Sequence, residues 1–279
     1  MKIGLLITAR LKSKRLPMKI LKDLNGRTVI ERIIDRAKVV KGVSDIVLCT
    51  STNPQDRPLV DIAAKNGIYY FAGSEEDVLN RMFSAAKLFN MDFIISVTAD
   101  NPLFSIYHAE LAIKEAKKGK YDYIKIEGLP IGGICYGLKN KALEVVCRVK
   151  EVIDTEIWGH LFNQPRVFDV CVLPAKGKYR HPNIRLTLDY KEDYRFLKRL
   201  HREIKFTGVL SLGKVIDYLD ENPRLLKINN KCVQRKLTPG IKEKIDRFYS
   251  RNLKTISGIK KRIYKYTKEK LKQGFLTLT

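Results

Sequence analysis

The sequence is poor in acidic side chains. Its 279 residues contain 30 Asp and Glu against 54 Lys and Arg, which gives a formal net charge of +24. The imbalance is strongest at the end, where residues 231–279 hold 15 Lys and Arg and 3 Asp and Glu, a net +12. An excess of this kind is typical of proteins that contact nucleic acid, an anionic membrane surface or acidic substrates, and charge alone does not choose among them.

Long apolar runs and paired cysteines are also missing. No stretch of eighteen apolar residues occurs, and the first residues lack a signal-like apolar region with a cleavage site. The five cysteines are scattered and form no CxxC pair, which argues against a disulfide framework and against a zinc site. We therefore expect a soluble, cytoplasmic protein in which Cys49 and Cys171 belong to the core.

Short apolar runs alternate with amphipathic segments along the first part of the chain. These runs predict strands at 3–7, 45–50, 68–71, 92–98 and 121–126. Between them we expect helices at 28–40, 53–66 and 106–118, and another after the capping-box pattern Ser74-x-x-Asp77. This order predicts an α/β fold with a doubly wound, mixed but mostly parallel sheet.

The pattern is less regular after residue 126. We expect a Gly-rich loop at 128–137 leading into a strand, a helix at 154–162, strands at 166–173 and 183–188, and helices at 191–204 and 211–219. Residues 241–272 predict one or two amphipathic helices, with Ile256, Ile259, Ile263, Tyr266 and Leu271 on the apolar side. We expect them to dock on the core or on a subunit partner. The chain thus divides into a catalytic domain at 1–230 and a basic, helical extension at 231–279.

A cluster of cations follows the first predicted strand. Arg10, Lys12, Lys14, Arg15 and Lys19 lie within ten residues at the carboxyl end of that strand. Loops at this end of the strands form the ligand crevice in open α/β sheets. The cluster therefore favours a strongly anionic ligand such as a nucleoside triphosphate over a merely solvated basic loop.

The order of residues in this loop carries a resemblance to a known family. Ala9-Arg10-x-x-Ser13-x-Arg15-Leu16-Pro17-x-Lys19 resembles the opening motif of the sugar cytidylyltransferases, which activate ulosonic and nonulosonic acids as CMP-sugars and include the spore-coat polysaccharide type. Met18 stands where the family usually has glycine. The resemblance implies a Rossmann-like fold of the GT-A type.

The same resemblance implies roles for the residues of this loop. The side chains of Arg10, Arg15 and Lys19 would bind the β- and γ-phosphates and assist the departure of pyrophosphate, with Ser13 also at the nucleotide. The backbone of Ile7, Thr8 and Ala9 would contact the edge of the base.

Two aspartates are candidate metal ligands. Asp100 follows an apolar strand, and Thr98-Ala99-Asp100-x-Pro102-Leu103 resembles the metal motif of the family, with Ala99 in place of glycine. Asp189 ends a stretch that resembles the later motif Arg-Leu-Thr-x-Asp. The resemblance implies that Asp100 and Asp189 hold one Mg²⁺. The alternatives are that Asp100 is a turn residue before Pro102 and that Asp189 caps the following helix.

A second segment resembles the spore-coat branch. Residues 73–81, which begin with Gly73-Ser74 and end with Arg81, match that branch and would lie near the nucleotide, as would Thr98 and Ala99. We expect Ser74 to be a helix cap first and a ligand contact second. Arg81 is expected either to meet a phosphate or to form a surface salt bridge.

The part of the sequence that should contact the acceptor departs from the family. The acidic residues of the spore-coat branch are absent from 130–136, and the usual Glu-His-Val-Thr helix is replaced by a segment with Glu156, Trp158 and His160. We take Glu156, His160 and Arg185 as candidate acceptor contacts, and we expect Trp158 to pack in the core.

The resemblance of these three motifs implies a Mg²⁺-dependent cytidylyltransferase. It would join CTP to a sugar acid, releasing a CMP-sugar and pyrophosphate for surface glycan biosynthesis. The alternatives are a GT-A-fold glycosyltransferase that uses a nucleotide sugar, or a nucleotidyltransferase for another acceptor. A homodimer and contact of the basic tail with an anionic surface are further expectations. A specific nucleic-acid partner is not expected, because no helix-turn-helix, OB or RRM signature occurs.

Overall fold

The computed structural model describes residues 1–152 and 154–274, with side chains through residue 265 except at 153. The seven strands of one sheet are β1 Ile3–Thr8, β2 Asp45–Ser51, β3 Tyr69–Gly73, β4 Phe93–Thr98, β5 Tyr123–Glu127, β6 Tyr136–Lys139 and β7 Val170–Pro174. The α-helices are α1 Val29–Lys38, α2 Arg57–Lys65, α3 Val78–Leu88, α4 Ile106–Ala116, α5 Asn140–Val149, α6 Gly159–Phe162, α7 Lys191–Glu203, α8 Leu212–Glu221, α9 Pro239–Arg251 and α10 Leu253–Gly274.

The strand order confirms the predicted mixed, mostly parallel sheet. The order is β3-β2-β1-β4-β6-β5-β7, and only β6 runs antiparallel to its neighbours. The chain moves outward from β1 through β2 to β3 and then returns to place β4 on the other side of β1. This reversal makes the carboxyl ends of β1 and β4 the switch point at which α/β sheets bind ligands.

Two apolar layers cover the faces of the sheet. One contains α1, α2, α4, α7 and α8, and the other contains α3, α5, α6 and residues from α9 and α10. β1 is buried along its whole length, as expected for a central strand covered on both faces. Cys49 and Cys171 are buried, as predicted, and Trp158 packs on Tyr123, Tyr136 and Phe162 in the second layer, also as predicted.

The C-terminal extension docks on the core of its own chain. Ile256 and Ile263 of α10 are buried, and the hydroxyl of Tyr249 in α9 donates to the carbonyl of Leu161 at 2.8 Å. This confirms the predicted amphipathic helices and places their apolar side on the second layer. The side chains of Tyr266 and Leu271 lie outside the described residues. No helix in the described part of the chain has both the length and the apolar character that crossing a membrane requires.

Two predicted elements between residues 150 and 190 are wrong. The helix expected at 154–162 is reduced to the single turn α6, because the Asp154 carboxylate accepts from the backbone N–H of Glu156 and competes with helix formation. Residues 183–188 are extended but join no strand of the sheet, since their one bridge pairs Arg185 with Ile131 of the Gly-rich loop. β7 begins at Val170 rather than at residue 166.

Candidate active site

Three chain segments meet at the carboxyl edge of the sheet. Thr8 of β1 and Thr98 of β4 are direct partners, and the N–H of Ala99 donates to the carbonyl of Thr8 at 2.9 Å. The third segment is 183–188, whose last residue, Leu188, donates its N–H to the carbonyl of Asp100 at 2.9 Å. The two predicted metal ligands, Asp100 and Asp189, are therefore brought to one place although they are 89 positions apart in the sequence.

A single ammonium group joins the two aspartates. Lys19 Nζ lies 2.8 Å from Asp100 Oδ2 and 2.9 Å from Asp189 Oδ1, and Arg15 Nη2 lies 2.7 Å from the same Asp189 oxygen. The side chain of Asp100 is 27% exposed and that of Asp189 is 7% exposed, so the cluster opens to solvent on the Asp100 side. Asp100 Oδ1 also accepts from Thr98 Oγ1 at 2.7 Å, which fixes its orientation.

The charges in this cluster support one another. Burial alone would raise the pKa of the Asp189 carboxyl, but Lys19, Arg15 and Arg185 outweigh burial and hold that pKa below its ordinary value. Burial would likewise lower the pKa of the Lys19 ammonium, and the two aspartates raise it instead. Both groups are therefore charged at neutral pH, as a site for a polyanionic substrate and its counter-ions requires.

Asp189 forms a buried ion pair with Arg185 through the carboxylate oxygen that Lys19 and Arg15 do not contact. Arg185 Nη2 donates to Asp189 Oδ2 at 3.0 Å, while Arg185 Nε donates to Asp193 Oδ1 at 2.9 Å. Asp193 also accepts from the backbone N–H groups of Asp189 and Tyr190, which closes the first turn of α7. The alternative that Asp189 caps α7 is therefore wrong, since Tyr190 is the N-cap residue and Asp193 reaches back to it. Arg185 acts on Asp189 and Asp193 as a positioning residue.

The basic loop after β1 is anchored to the protein at two points. The N–H of Leu11 donates to Asp56 Oδ1 at 2.7 Å, and the side chains of Leu11, Leu16 and Ile20 are buried. Met18 directly precedes Lys19 and has φ 53°, in the left-handed region. This conformation gives a physical reason for the glycine that the family usually carries at this position. The anchored loop presents Lys19 and Arg15 to the aspartates rather than to bulk solvent.

The other cations of this loop turn toward the β3–α3 connection. Arg10 Nη1 donates to the carbonyl of Glu75 at 2.7 Å, and Lys12 Nζ lies 2.8 Å from the carboxylate of Glu75. Gly73 ends β3 at the same edge of the sheet, and Ser74 follows it. Arg10 is thus separated from Arg15 and Lys19, and its phosphate-binding role stays a prediction.

Two expectations for the β3–α3 connection are corrected. The N-cap of α3 is Asp77, whose carboxylate accepts from the N–H of Asn80, whereas Ser74 Oγ accepts from the N–H of Asp77 in the preceding turn. Arg81 forms no surface salt bridge, because its side chain is buried and its guanidinium donates to the carbonyls of Ser74 and Glu75. Arg81 therefore supports the turn that Arg10 also contacts.

The remaining residues predicted to contact the nucleotide lie at the carboxyl edge of the sheet, and several of their polar groups already form hydrogen bonds within the protein. The carbonyl of Thr8 accepts from Ala99 and the N–H of Ala9 donates to Cys49, so these backbone groups are already bonded within the sheet. Ile7 is fully buried. Ser13 Oγ accepts from the N–H of Leu16 at 3.4 Å and helps to shape the loop. Base recognition by the backbone at 7–9 stays a prediction.

The acceptor candidates are spread out. Glu156 forms an ion pair with Arg235, and its other carboxylate oxygen lies 3.9 Å from Arg10 Nη2. His160 Nε2 lies 2.9 Å from Asp246 Oδ1 of α9, which joins α6 to the extension. Glu156 thus lies beside Arg10 of the basic loop, and Arg185 contacts the candidate metal ligand Asp189.

Some residues that build the site were not found from the sequence. Asp56 was not singled out, and Asp193 was expected only to favour the helix dipole, yet it is fully buried and bonded to Arg185 and Asn229. The Leu11–Asp56 contact spans 45 residues and the Asp193–Asn229 contact spans 36, so no short motif reveals these two contacts. The one available signal is the acidic pair Glu192-Asp193, which begins three residues after the motif aspartate Asp189.

Comparison with known proteins agrees with the geometry. A family model described as cytidylyltransferase matches residues 5–229. The chain belongs to the cytidylyltransferase family. It is a nucleotidyltransferase enzyme, which sets aside the glycosyltransferase alternative. The match ends before residue 230, and the proposed division of this cytidylyltransferase into two domains stays a prediction.

Individual relatives give the same picture. The spore coat polysaccharide biosynthesis protein SpsF of Bacillus subtilis is 30% identical over 226 residues, which cover 78% of this chain and 94% of that protein. A 3-deoxy-manno-octulosonate cytidylyltransferase of Chloroherpeton thalassium is 36% identical over 105 residues, which cover 37% of this chain and 41% of that protein. A solved cytidylyltransferase from Leptospira borgpetersenii superposes with a TM-score of 0.76 at 25% identity, covering 85% of this chain and 100% of that one.

Proposed function

We propose that this cytidylyltransferase transfers CMP from CTP to a sugar acid in a Mg²⁺-dependent reaction that releases pyrophosphate. The observation that carries the proposal is the position of Lys19 Nζ, 2.8 Å from Asp100 and 2.9 Å from Asp189. A cation at that point contacts carboxylates from two distant segments of the chain. The motif at 9–19 supports the nucleotide, and the sugar acid as acceptor is supported by the similarity to a 3-deoxy-manno-octulosonate cytidylyltransferase.

The donor set at this point suits Mg²⁺. Magnesium binds through one or two carboxylates, with water and substrate phosphates completing its shell. No group of three or more His, Cys, Asp or Glu side chains suited to a metal occurs in the described ranges, and the site offers two carboxylates, of which that of Asp100 is 27% exposed. When bound, Mg²⁺ neutralises the charge on the phosphates and orients them for displacement.

The residues of the chain perform the remaining work. The acceptor hydroxyl oxygen forms a bond to the α-phosphorus, the bond to the bridging oxygen of the β-phosphate breaks, and the hydroxyl proton is lost to solvent. Asp100 and Asp189 cannot hold the Lys19 ammonium and Mg²⁺ at one point. With Mg²⁺ held by the aspartates, Lys19 would be free to contact the triphosphate, where it and Arg15 would stabilise the charge that develops on pyrophosphate.

The test is pyrophosphate release with Mg²⁺ from each of the four nucleoside triphosphates, combined with a panel of ulosonic and nonulosonic acids. We expect release that requires both CTP and one sugar acid and that stops when Mg²⁺ is chelated. Release that is equal for all four nucleotides would contradict the choice of CTP. Release that needs no sugar acid would contradict the acceptor class.

The exposed face of α10 supports a further part of the proposal, contact with an anionic surface where glycans are assembled. Among the described side chains of α10 the exposed cations are Lys254, Lys261, Arg262 and Lys265, and the exposed Arg251 ends α9. The apolar side is already packed on the core, so adsorption would be electrostatic and salt-sensitive. Co-sedimentation with phosphatidylglycerol vesicles, but not with phosphatidylcholine vesicles, tests this. Equal binding to both, or to neither, would refute it. The homodimer stays a prediction.

A further inference from the structure

The connection between the sheet domain and α9 runs over the active-site edge. We name residues 229–238 the strap. The side chain of Asn229 donates to Asp193 Oδ1 at 2.9 Å, and the hydroxyl of Tyr190 donates to the carbonyl of Val233 at 3.3 Å. Gln234 Oε1 accepts from Arg185. The strap is therefore bonded to the residues that position Asp189, although all but its first residue lies beyond the family match.

The next residue of the strap completes an arrangement of two arginines and one carboxylate. Arg235 Nη1 donates to Glu156 Oε2, and Arg10 Nη2 lies 3.9 Å from Glu156 Oε1. One guanidinium comes from the nucleotide loop and the other from the strap. A carboxylate thus fits between these two arginines at the edge of the crevice.

This pairing contributes little to the fold. The side chain of Arg235 is 58% exposed and that of Glu156 is 49% exposed, and ion pairs that open to water stabilise a protein by about 1 kcal/mol or less. Glu156 can therefore release Arg235 at little cost. By contrast, Arg185 is buried and bonded to Asp189 and Asp193, so it cannot be released in the same way.

We propose that Arg235 binds the carboxylate of the acceptor, and that Glu156 competes for the same guanidinium. The proposal rests on the proposed function, because it assumes that the acceptor is a sugar acid. The segment 130–136 carries no charged side chain, so it offers the acceptor no ionic contact. Arg235 supplies a cation to the acceptor side from outside the segment that the family model matches, which makes it a specificity-determining residue of this chain.

Steady-state kinetics of Arg235→Gln and Glu156→Gln test the proposal. Loss of a charge-assisted contact predicts that Arg235→Gln raises the acceptor KM about 10- to 100-fold, with the KM for CTP within about twofold. Removal of the competing carboxylate predicts that Glu156→Gln lowers the acceptor KM. Arg247→Gln, which removes an exposed arginine paired within α9, is the matched control and should change neither constant. Urea unfolding verifies that all three variants keep the stability of the parent protein.

The two variants separate substrate binding from a structural role. If the Arg235–Glu156 pair only holds the strap, both variants raise the acceptor KM by similar factors, and the proposal is wrong. An unchanged acceptor KM in Arg235→Gln also overturns it. Absence of any CTP- and sugar-acid-dependent pyrophosphate release in the unmodified protein would instead refute the proposed function, and this inference with it.

Discussion

Two buried aspartates at opposite edges of the sheet have similar surroundings. Asp189 lies at the carboxyl edge, and Asp122 lies at the amino edge, directly before β5. Burial would raise the pKa of each carboxyl, and in each case neighbouring donors hold the pKa below its ordinary value. The donors are Arg15, Lys19 and Arg185 around Asp189, and Lys139, Lys260 and Tyr264 around Asp122.

The two sites differ in two respects: Asp189 has a second carboxylate beside it, and that carboxylate is reached by solvent. Lys19 bridges Asp189 to Asp100, which is 27% exposed and faces the switch point of the sheet. Asp122 is fully buried, and Lys260 and Tyr264 of α10 cover it. Buried ion pairs and shifted pKa values therefore do not identify a catalytic carboxylate by themselves. The proposed metal site rests instead on two carboxylates from separate segments that share one cation, Lys19, at the ligand edge of the sheet.

The largest expected effect is on kcat, and it should differ between a substitution at the carboxyl edge of the sheet and one at the amino edge. Asp100→Asn keeps the shape of the side chain but removes a charge from the proposed metal site, and we expect kcat to fall on the order of 10³-fold. Asp122→Asn should leave kcat within about threefold, because Asp122 lies at the opposite, amino edge of the sheet. Pyrophosphate release under saturating substrates measures both. Equal losses in the two variants would break the comparison.

The free energy of unfolding should change in the opposite order, with the larger loss in Asp122→Asn. Asp122→Asn leaves Lys139 and Lys260 near a neutral amide in a buried place, and removal of one partner from a buried ion pair costs about 3–5 kcal/mol. Asp100→Asn should cost about 1 kcal/mol or less, since Asp189 still pairs with Lys19. Urea unfolding measures the difference, and Asp169→Asn is the control, because Asp169 is 69% exposed and 3.5 Å from Lys260. A smaller loss in Asp122→Asn than in Asp100→Asn would contradict this ranking.

Two glycines with positive φ, one near each edge of the sheet, allow the same comparison to be made through the backbone. Gly132 has φ +92°, and a Cβ there would lie 2.5 Å from the N of Thr187, in the segment that carries Asp189. Gly132→Ala should therefore lower both the activity and the free energy of unfolding, the latter by about 2–3 kcal/mol. Gly119 at the amino edge has φ +73° with nothing near its Cβ, so Gly119→Ala should cost about 1 kcal/mol and no activity. Similar effects in both variants would show that the close approach at Gly132 is unimportant.

The pH dependence of stability should respond to Asp122. Its folded pKa lies below the ordinary 3.8, so its stabilising contribution is present above that value and is lost as the pH falls through the folded pKa. In acid, Asp122→Asn should therefore reduce the slope of unfolding free energy against pH, by up to about 1.4 kcal/mol per pH unit. Urea unfolding between neutral pH and the acid range measures the slope. An unchanged slope would mean that the pKa of Asp122 is not lowered.

The smallest expected effect concerns two residues with positive φ. Met18 at the site edge has φ 53°, and Asn90 at the amino edge has φ 52°. Asparagine tolerates the left-handed region better than methionine does. We expect Met18→Gly to raise the free energy of unfolding by about 0.5 kcal/mol and Asn90→Gly to lower it by about as much. Equal and unfavourable changes would mean that the Met18 side chain contributes packing that offsets its strain.

The sequence predicts the residues at the centre of the candidate site better than the residues that hold them in position. Lys19, Asp100 and Asp189 follow from motifs at the ends of apolar segments, where side chains enter the crevice. The contacts of Asp56 with Leu11 and of Asp193 with Asn229 join segments that are far apart in the sequence, and local patterns carry no information about such contacts. The segment 183–188 was expected to be a strand, but its hydrogen bonds go to Ile131 and Asp100 rather than to a neighbouring strand.

The C-terminal extension also shows that local patterns do not predict tertiary contacts. Its amphipathic pattern predicts helices with one apolar side. The pattern does not specify which surface that side will cover, nor that Lys260 will reach a buried Asp122 from 138 residues away. The path of the strap over Tyr190 and Arg185 is likewise a product of tertiary packing.

Mn²⁺ binding in the presence of CTP tests the central claim most directly, with Mn²⁺ as the probe for the Mg²⁺ site. Water proton relaxation enhancement responds to Mn²⁺ that is held by the protein, so it can be compared between Asp100→Asn and Asp122→Asn. We expect the unmodified protein and Asp122→Asn to bind Mn²⁺ equally and Asp100→Asn to bind it at least about tenfold more weakly. Unweakened Mn²⁺ binding by Asp100→Asn would contradict the assignment of the cation site to the Asp100–Asp189 pair.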